Sequence, residues 1–158
     1  MYLVECKPDE VLIRTVTMTS GKNIKHAGNK SELLKALSQR FSDSKGLLDE
    51  DPSSIQPLSL EKFHEKQDLT SYHIKILEQK SRNNTIIMLC PRLEDWILQA
   101  AKEANVSPTQ FGLPDDSAKL HEQVNIRIDK FQKLIEALKT SSKQFEELRK
   151  QLGSKQMR

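Results

Sequence analysis
Tyr2-Leu3-Val4-Glu5-Cys6-Lys7-Pro8-Asp9-Glu10 is the stretch from which the fold is read. Residues 2–6 form a short run with little polar surface to solvate, which predicts a buried strand. Pro8 follows where a helix can begin, because its missing N–H costs nothing in the first turn. Asp9 and Glu10 suit the same turn, where the positive end of the helix dipole favours carboxylates. Val11, Leu12, Thr15, Val16 and Thr19 continue as a helical stripe, and Gly21 offers a stop.

The pattern then repeats. Residues 23–27 read as a weaker second strand. Asn29 is a good N-cap with Glu32 three residues on, the capping-box spacing, and Leu33, Leu34, Leu37 and Phe41 give the next helix its apolar face. Residues 45–48 form a third apolar strand that ends in Asp49-Glu50-Asp51-Pro52. A β-α-β-α-β order predicts a parallel sheet with right-handed crossovers. Residues 52–69 hold two Pro and three Ser and read as a polar loop, with one helical turn near residues 60–64. Residues 71–78 alternate weakly as a strand, residues 81–84 make a turn, and residues 85–90 are the most hydrophobic strand. Pro91 ends it, and Leu93, Trp96, Ile97, Ala100 and Ala101 carry a helix to about residue 104.

Beyond Ser107 strand signals stop. Apolar residues from Leu120 to Leu152 recur at helical spacing, with a break at Thr140-Ser141-Ser142. The expected organisation is a mostly parallel α/β domain over residues 1–105 and an all-helical extension over residues 106–158 that packs on it. Trp96 and Phe41 are expected in the core. A leftover apolar face on residues 145–152 is a candidate surface for a protein partner or a second copy in a homodimer.

Composition sets the outer bounds. The chain has 158 residues, 36% hydrophobic and 30% charged, with 5 Gly and 6 Pro, which excludes collagen-like and fibrous classes. The mean hydropathy is -0.62. The longest apolar runs fall far short of the roughly 18 residues a membrane span needs. An acid at Glu5 and no basic leader argue against a signal peptide, so the expected location is cytoplasmic. Cys6 and Cys90 make no disulfide framework. A net charge of +3 permits a nucleic-acid partner without demanding one. Lys155 and Arg158 form a small cationic end.

Ligands of open parallel sheets bind in the crevice beyond the carboxyl ends of the strands. Glu5 ends the first strand there, and Asp49 and Asp51 end the third, two residues apart and so on one side of an extended backbone. Taken singly, such an acid reads as an N-cap or a turn residue. Together the carboxylates repel one another unless a cation neutralises them. Hard oxygen donors without His or Cys suit Mg²⁺ or Mn²⁺, and such an ion serves phosphodiester chemistry.

Leu3-Val4-Glu5-Cys6-Lys7-Pro8-Asp9-Glu10, followed by Gly46-Leu47-Leu48-Asp49-Glu50-Asp51-Pro52, resembles the two signature motifs of the Toprim domain. That domain is shared by topoisomerases, bacterial primases, the ribonuclease that matures 5S RNA, recombination-repair proteins and overcoming-lysogenization-defect nucleases. Glu5 matches the motif Glu, Asp9 the Asp that follows it, and Asp49 and Asp51 the Asp-x-Asp pair. Gly28-Asn29-Lys30-Ser31 is similar to the turn that opens the family's second helix. The likeness covers the first half of the chain, and Cys6 stands where the family has Gly. It implies a Rossmann-like sheet, Glu5 as the proton-transfer residue or a metal ligand, and Asp49 and Asp51 as ligands of Mg²⁺ or Mn²⁺.

Other candidates are weaker. Glu94, opening a helix past another strand end, is a possible further acid. Lys7, Lys25 and Lys30 are candidate phosphate contacts, and His26 is the histidine nearest the crevice. His64, His73 and His121 have no partners at useful spacing. The favoured function is metal-dependent nucleic-acid phosphodiester chemistry on DNA or RNA, most simply by a small nuclease. The alternative, favoured by Cys6, is a non-catalytic Toprim-like module that binds nucleic acid or protein. A receiver-like phosphoacceptor ranks below both, because Glu5 is followed by Cys6 and Cys90 by Pro91.

Overall fold
The computed structural model describes residues 1–153; the cationic end at Lys155 and Arg158 lies outside them. The chain folds as an α/β protein around one sheet of six strands, in the order β2-β1-β3-β6-β5-β4. The strands are β1 (Tyr2–Val4), β2 (Ile24–His26), β3 (Lys45–Asp49), β4 (His64–Leu69), β5 (Ile74–Gln79) and β6 (Asn84–Leu89). The helices are α1 (Lys7–Thr17), α2 (Lys30–Gln39), α3 (Leu93–Glu103), α4 (Ser117–Gln123), α5 (Ile128–Lys139) and α6 (Lys143–Leu152). β1 pairs in parallel with β2 and β3, and β3 with β6. β5 and β4 complete the sheet as an antiparallel hairpin on β6.

Strand alternation divides the core. Val4, Leu47, Ile87 and Leu89 face α1, α3, α5 and α6, where Trp96, Phe131 and Phe145 are fully buried. Leu3, Leu48, Ile86 and Met88 face the opposite way, onto α2 and Phe63. Gly46 lies on that second face, and a Cβ there would come within 2.9 Å of Leu33 Cδ2, so the close approach of α2 to β3 requires glycine. No helix among the described residues is long and apolar enough to cross a membrane.

Several local expectations hold. Asn29 caps α2, its side chain accepting from the Glu32 N–H at 2.8 Å. Ser142 caps α6 by accepting from the Gln144 and Phe145 N–H groups. Others need correction. α1 ends before Gly21, at Met18, which takes a left-handed φ of 61° and returns its N–H to the Arg14 carbonyl. The expected loop over residues 52–69 contains β4, an edge strand exposed along nearly its whole length; it shows no apolar alternation because neither face is buried. Phe41 lies past the end of α2 and is only partly buried. The apolar face expected to be left over on α6 is consumed internally: Phe145, Leu148 and Leu152 are all buried.

One polar side chain ties the layers together. Asn84, buried at the start of β6, donates to the Leu37 carbonyl at 2.7 Å and the Phe41 carbonyl at 2.9 Å, and accepts from the Ser44 N–H at 3.0 Å. Substitution strands the Ser44 N–H and the Leu37 carbonyl, while the Phe41 carbonyl keeps a bond from Arg82 at 3.3 Å. Asn84→Ala is therefore expected to lower stability by about 2–4 kcal/mol, read as a shifted midpoint in urea denaturation; a shift under about 0.5 kcal/mol would contradict this role.

Candidate metal centre
In the order β2-β1-β3-β6 the connections run opposite ways from β1, so the topological switch point lies between β1 and β3. Glu5 is the first residue beyond β1, and Asp49 is the last residue of β3. The pairing of β1 with β3 therefore brings these two expected acids to one rim of the sheet. Asp9 joins them from the first turn of α1, and Glu94 from the first turn of α3; both are buried.

The loops beyond β3 and β6 are bound together. The Glu50 N–H donates to the Leu89 carbonyl at 2.9 Å, and the Asp51 N–H to the Pro91 carbonyl at 2.8 Å. Asp49 Oδ1 accepts from the Leu93 N–H at 3.0 Å. Asp49 is thus both a strand-end acid and the cap of α3, where the Arg92 side chain makes no capping bond. Asp51 does not continue the strand. Its φ is 45°, so the same-side argument from extended backbone fails, and its carboxylate accepts from Ser54 Oγ at 2.7 Å. Glu50 turns away to Lys75 Nζ at 2.7 Å.

The acids act on one another. Burial, then the charges of Asp9, Glu94 and Glu5, pushes the Asp49 carboxyl up to about 8. Burial and then Glu5 push Asp9 up to about 7, with Glu94 adding to the shift. The Glu5 carboxyl is also raised, by burial first and by Asp51, against the pull of Lys30. Lys30 is the half-buried cation of this rim. Its Nζ donates to the Glu50 carbonyl at 3.0 Å and to Gln56 Oε1 at 2.7 Å, and Gln56 in turn braces the backbone of residues 50–51. Burial lowers the Lys30 ammonium, while Glu5, Asp51 and Asp49 pull it up.

The remaining candidates are engaged elsewhere. Lys7 pairs with Glu10 at 3.3 Å, and His26 and Arg14 bond to the same carboxylate. Burial works against the Glu10 charge, yet these hydrogen bonds hold its carboxyl below the ordinary range. Lys25 lies over the Phe41 ring, 5.7 Å from its centre. Cys6 is exposed as a residue, but its sulfur contacts Asp9 Oδ2 at 3.5 Å; local burial and the Asp9 charge push the thiol up to about 12, which disfavours the thiolate. His121, passed over for lack of a partner in sequence, bonds through Nδ1 to Glu94 Oε1 at 2.6 Å. The local sequence of α4 carries no signal for that contact. The one available hint was Glu94, a helix-start acid that needs a partner once buried.

A hard cation suits the donor chemistry of Glu5, Asp49 and Asp51, and the carboxyls of Glu5 and Asp49 are raised by burial first and by neighbouring acids second. They do not form a preassembled cage: among the described residues no three His, Cys, Asp or Glu side chains are gathered so as to hold an ion. Cavities of about 780 Å³ flanked by Val11, Thr15, Ile128 and Gln132, of about 590 Å³ flanked by Leu113, Glu122 and Arg127, and of about 450 Å³ flanked by Leu98, Gln99, Val106 and Pro108 are lined by none of Glu5, Asp9, Asp49 and Glu94. Their linings bring together no comparable group of acids. Compared with protein-family models, curated proteins and solved structures, the chain matches none.

The raised carboxyls fix a pH dependence. An unfolded Asp ionises near pH 3.9, about 3 to 4 pH units below folded Asp9 and Asp49. Between about pH 4 and pH 8 the folded chain holds more protons than the unfolded one, so stability is highest at the acid end and is lost as pH rises. Without divalent metal, thermal melts should fall from pH 5.5 to pH 8.5. Asp49→Asn keeps the cap to Leu93 but removes the charge, so it should melt above wild type at pH 8.5 and show a shallower decline. Parallel declines for the two proteins would contradict the shift at Asp49.

Proposed function
We propose that this chain is a small Toprim-like protein that performs divalent-metal-dependent phosphodiester chemistry on nucleic acid, most simply as a nuclease. The observation that carries the reading is the meeting of Glu5 and Asp49 at the sheet's switch point, where burial first and neighbouring acids second raise both carboxyls beside the Lys30 cation. These are the residues on which the Toprim resemblance rests. Asp49 and Asp51 would hold Mg²⁺ or Mn²⁺, leaving Glu5 as the proton-transfer residue. The ion supplies neutralisation of phosphate charge and a more acidic bound water. Glu5, its carboxyl raised, is suited to hold a proton and pass it to the leaving oxygen. Lys30 supplies the fixed positive charge for a phosphate on the Glu5 side.

Cys6 supports a second reading, a non-catalytic module of the same fold. Its side chain occupies the position after Glu5 and contacts Asp9, where a glycine would leave the backbone open to a phosphate. In that case nucleic acid or protein binds without turnover.

Labelled single- and double-stranded DNA and RNA, incubated with the full chain and Mg²⁺ or Mn²⁺, separate the two. Nuclease function gives cleavage that is abolished by EDTA and reduced roughly 100-fold or more in both Glu5→Gln and Asp49→Asn. Binding by wild type without cleavage, in either metal, overturns the nuclease reading and favours the module.

A further inference from the structure
Glu94 and His121 form a unit that the chemistry above does not use. Glu94 sits in the first turn of α3, and its side chain is only 8% exposed. Its Oε1 takes the Nδ1–H of His121, whose own side chain is 76% exposed. The ring is carried by α4, which Leu120 and Val124, both buried, anchor to the body of the protein. Nε2 of His121 has no partner among the described residues. A buried carboxylate that fixes one ring nitrogen and leaves the other open to solvent is the arrangement that orients an imidazole for proton transfer.

Its placement matters as much as its geometry. Glu94 acts electrostatically on Asp49 and Asp9, whereas Lys30 acts on Glu5, Asp51 and Asp49. Geometry makes the same link: Asp49 accepts from the Leu93 N–H at 3.0 Å, Glu94 is the next residue of α3, and its carboxylate holds His121 at 2.6 Å. The remaining charged groups of the first turn of α3 are Arg92 and Asp95, paired with each other at 3.1 Å; on α4 itself Lys119 and Glu122 are exposed. None of them displaces Glu94 as the partner of His121.

We propose that His121 is the proton acceptor for the attacking water, with Glu94 as its positioning residue; this rests on the phosphodiester reading above. His121 Nε2 takes a proton as the water oxygen bonds to phosphorus. The phosphorus bond to the leaving oxygen breaks, and that oxygen takes the proton held by Glu5. The proton on His121 then returns to Glu5 through solvent, so the enzyme is restored and no other reactant is consumed.

Two probes and four variants of the full chain test this. Labelled nucleic acid has a leaving oxygen that needs a proton; bis(p-nitrophenyl) phosphate has one that departs without it. With Mn²⁺ present, Glu5→Gln should lose much more activity on nucleic acid than on the nitrophenyl ester. His121→Gln and His121→Asn should lose roughly 100-fold on both probes, and the fall of the wild-type rate on acidification should disappear. His121→Asn is decisive, because its amide nitrogen stands where Nδ1 stood and keeps the tie to Glu94. Glu94→Gln should lose less than either. His121→Asn that melts like wild type and cleaves within about 3-fold of it, with an unchanged pH profile, shows a merely structural tie and overturns the role alone. A wild type that cleaves neither probe overturns the nuclease reading and this role with it.

Discussion
The structure depends on a very short parallel pairing. β1 meets β3 through Tyr2 opposite Lys45 and Leu3 opposite Gly46, and this register sets Glu5 beside the end of β3. It stays in place because both neighbours are anchored. β3 continues along β6 for five residue pairs, from Lys45–Thr85 to Asp49–Leu89. Gly46 lets α2 close over the pairing from one side, and Tyr2 donates its hydroxyl to the Leu152 carbonyl on the other. A slip of one residue would turn Leu3 and Val4 to the wrong layers and carry Glu5 off the rim.

At that rim two tendencies oppose each other. The N-terminal turns of α1 and α3 attract carboxylates, which is why Asp9 and Glu94 sit there. Burial and crowding outweigh the attraction at Asp9 and Asp49, whose carboxyls are pushed up to about 7 and about 8. Carboxyls raised in this way are concentrated at functional sites, though structural networks raise them too. A cation arriving at the rim would convert the destabilising charges into ligands, linking the folding of the strand ends to the chemistry proposed for them.

Much of this was legible in sequence because it is local. The strand-to-helix transitions at Glu5 and Asn29, the cap at Asn29 and the break at Thr140–Ser142 depend on neighbouring residues. Glu5, Asp49 and Lys30 could be placed on one rim once the β-α-β-α-β order was read. What escaped depends on distant partners. β4 owes its existence to β5 rather than to any pattern in His64–Leu69. The bond between His121 and Glu94 joins helices brought together only by tertiary packing. At Asp51 the turn that each acid suggests singly forms in place of the extended Asp49–Asp51 pair, and its N–H bonds the distant Pro91 carbonyl.

The most direct test of a shared cation is calorimetric titration of Mn²⁺ into the full chain at pH 7, in two buffers of different ionisation enthalpy. If Asp49 and its neighbours hold protons that an ion must displace, the apparent heats will differ between buffers by an amount that reports proton release, and Asp49→Asn will abolish or sharply weaken binding. Saturable binding with identical heats in both buffers, unchanged by Asp49→Asn, would place the ion elsewhere and contradict the account.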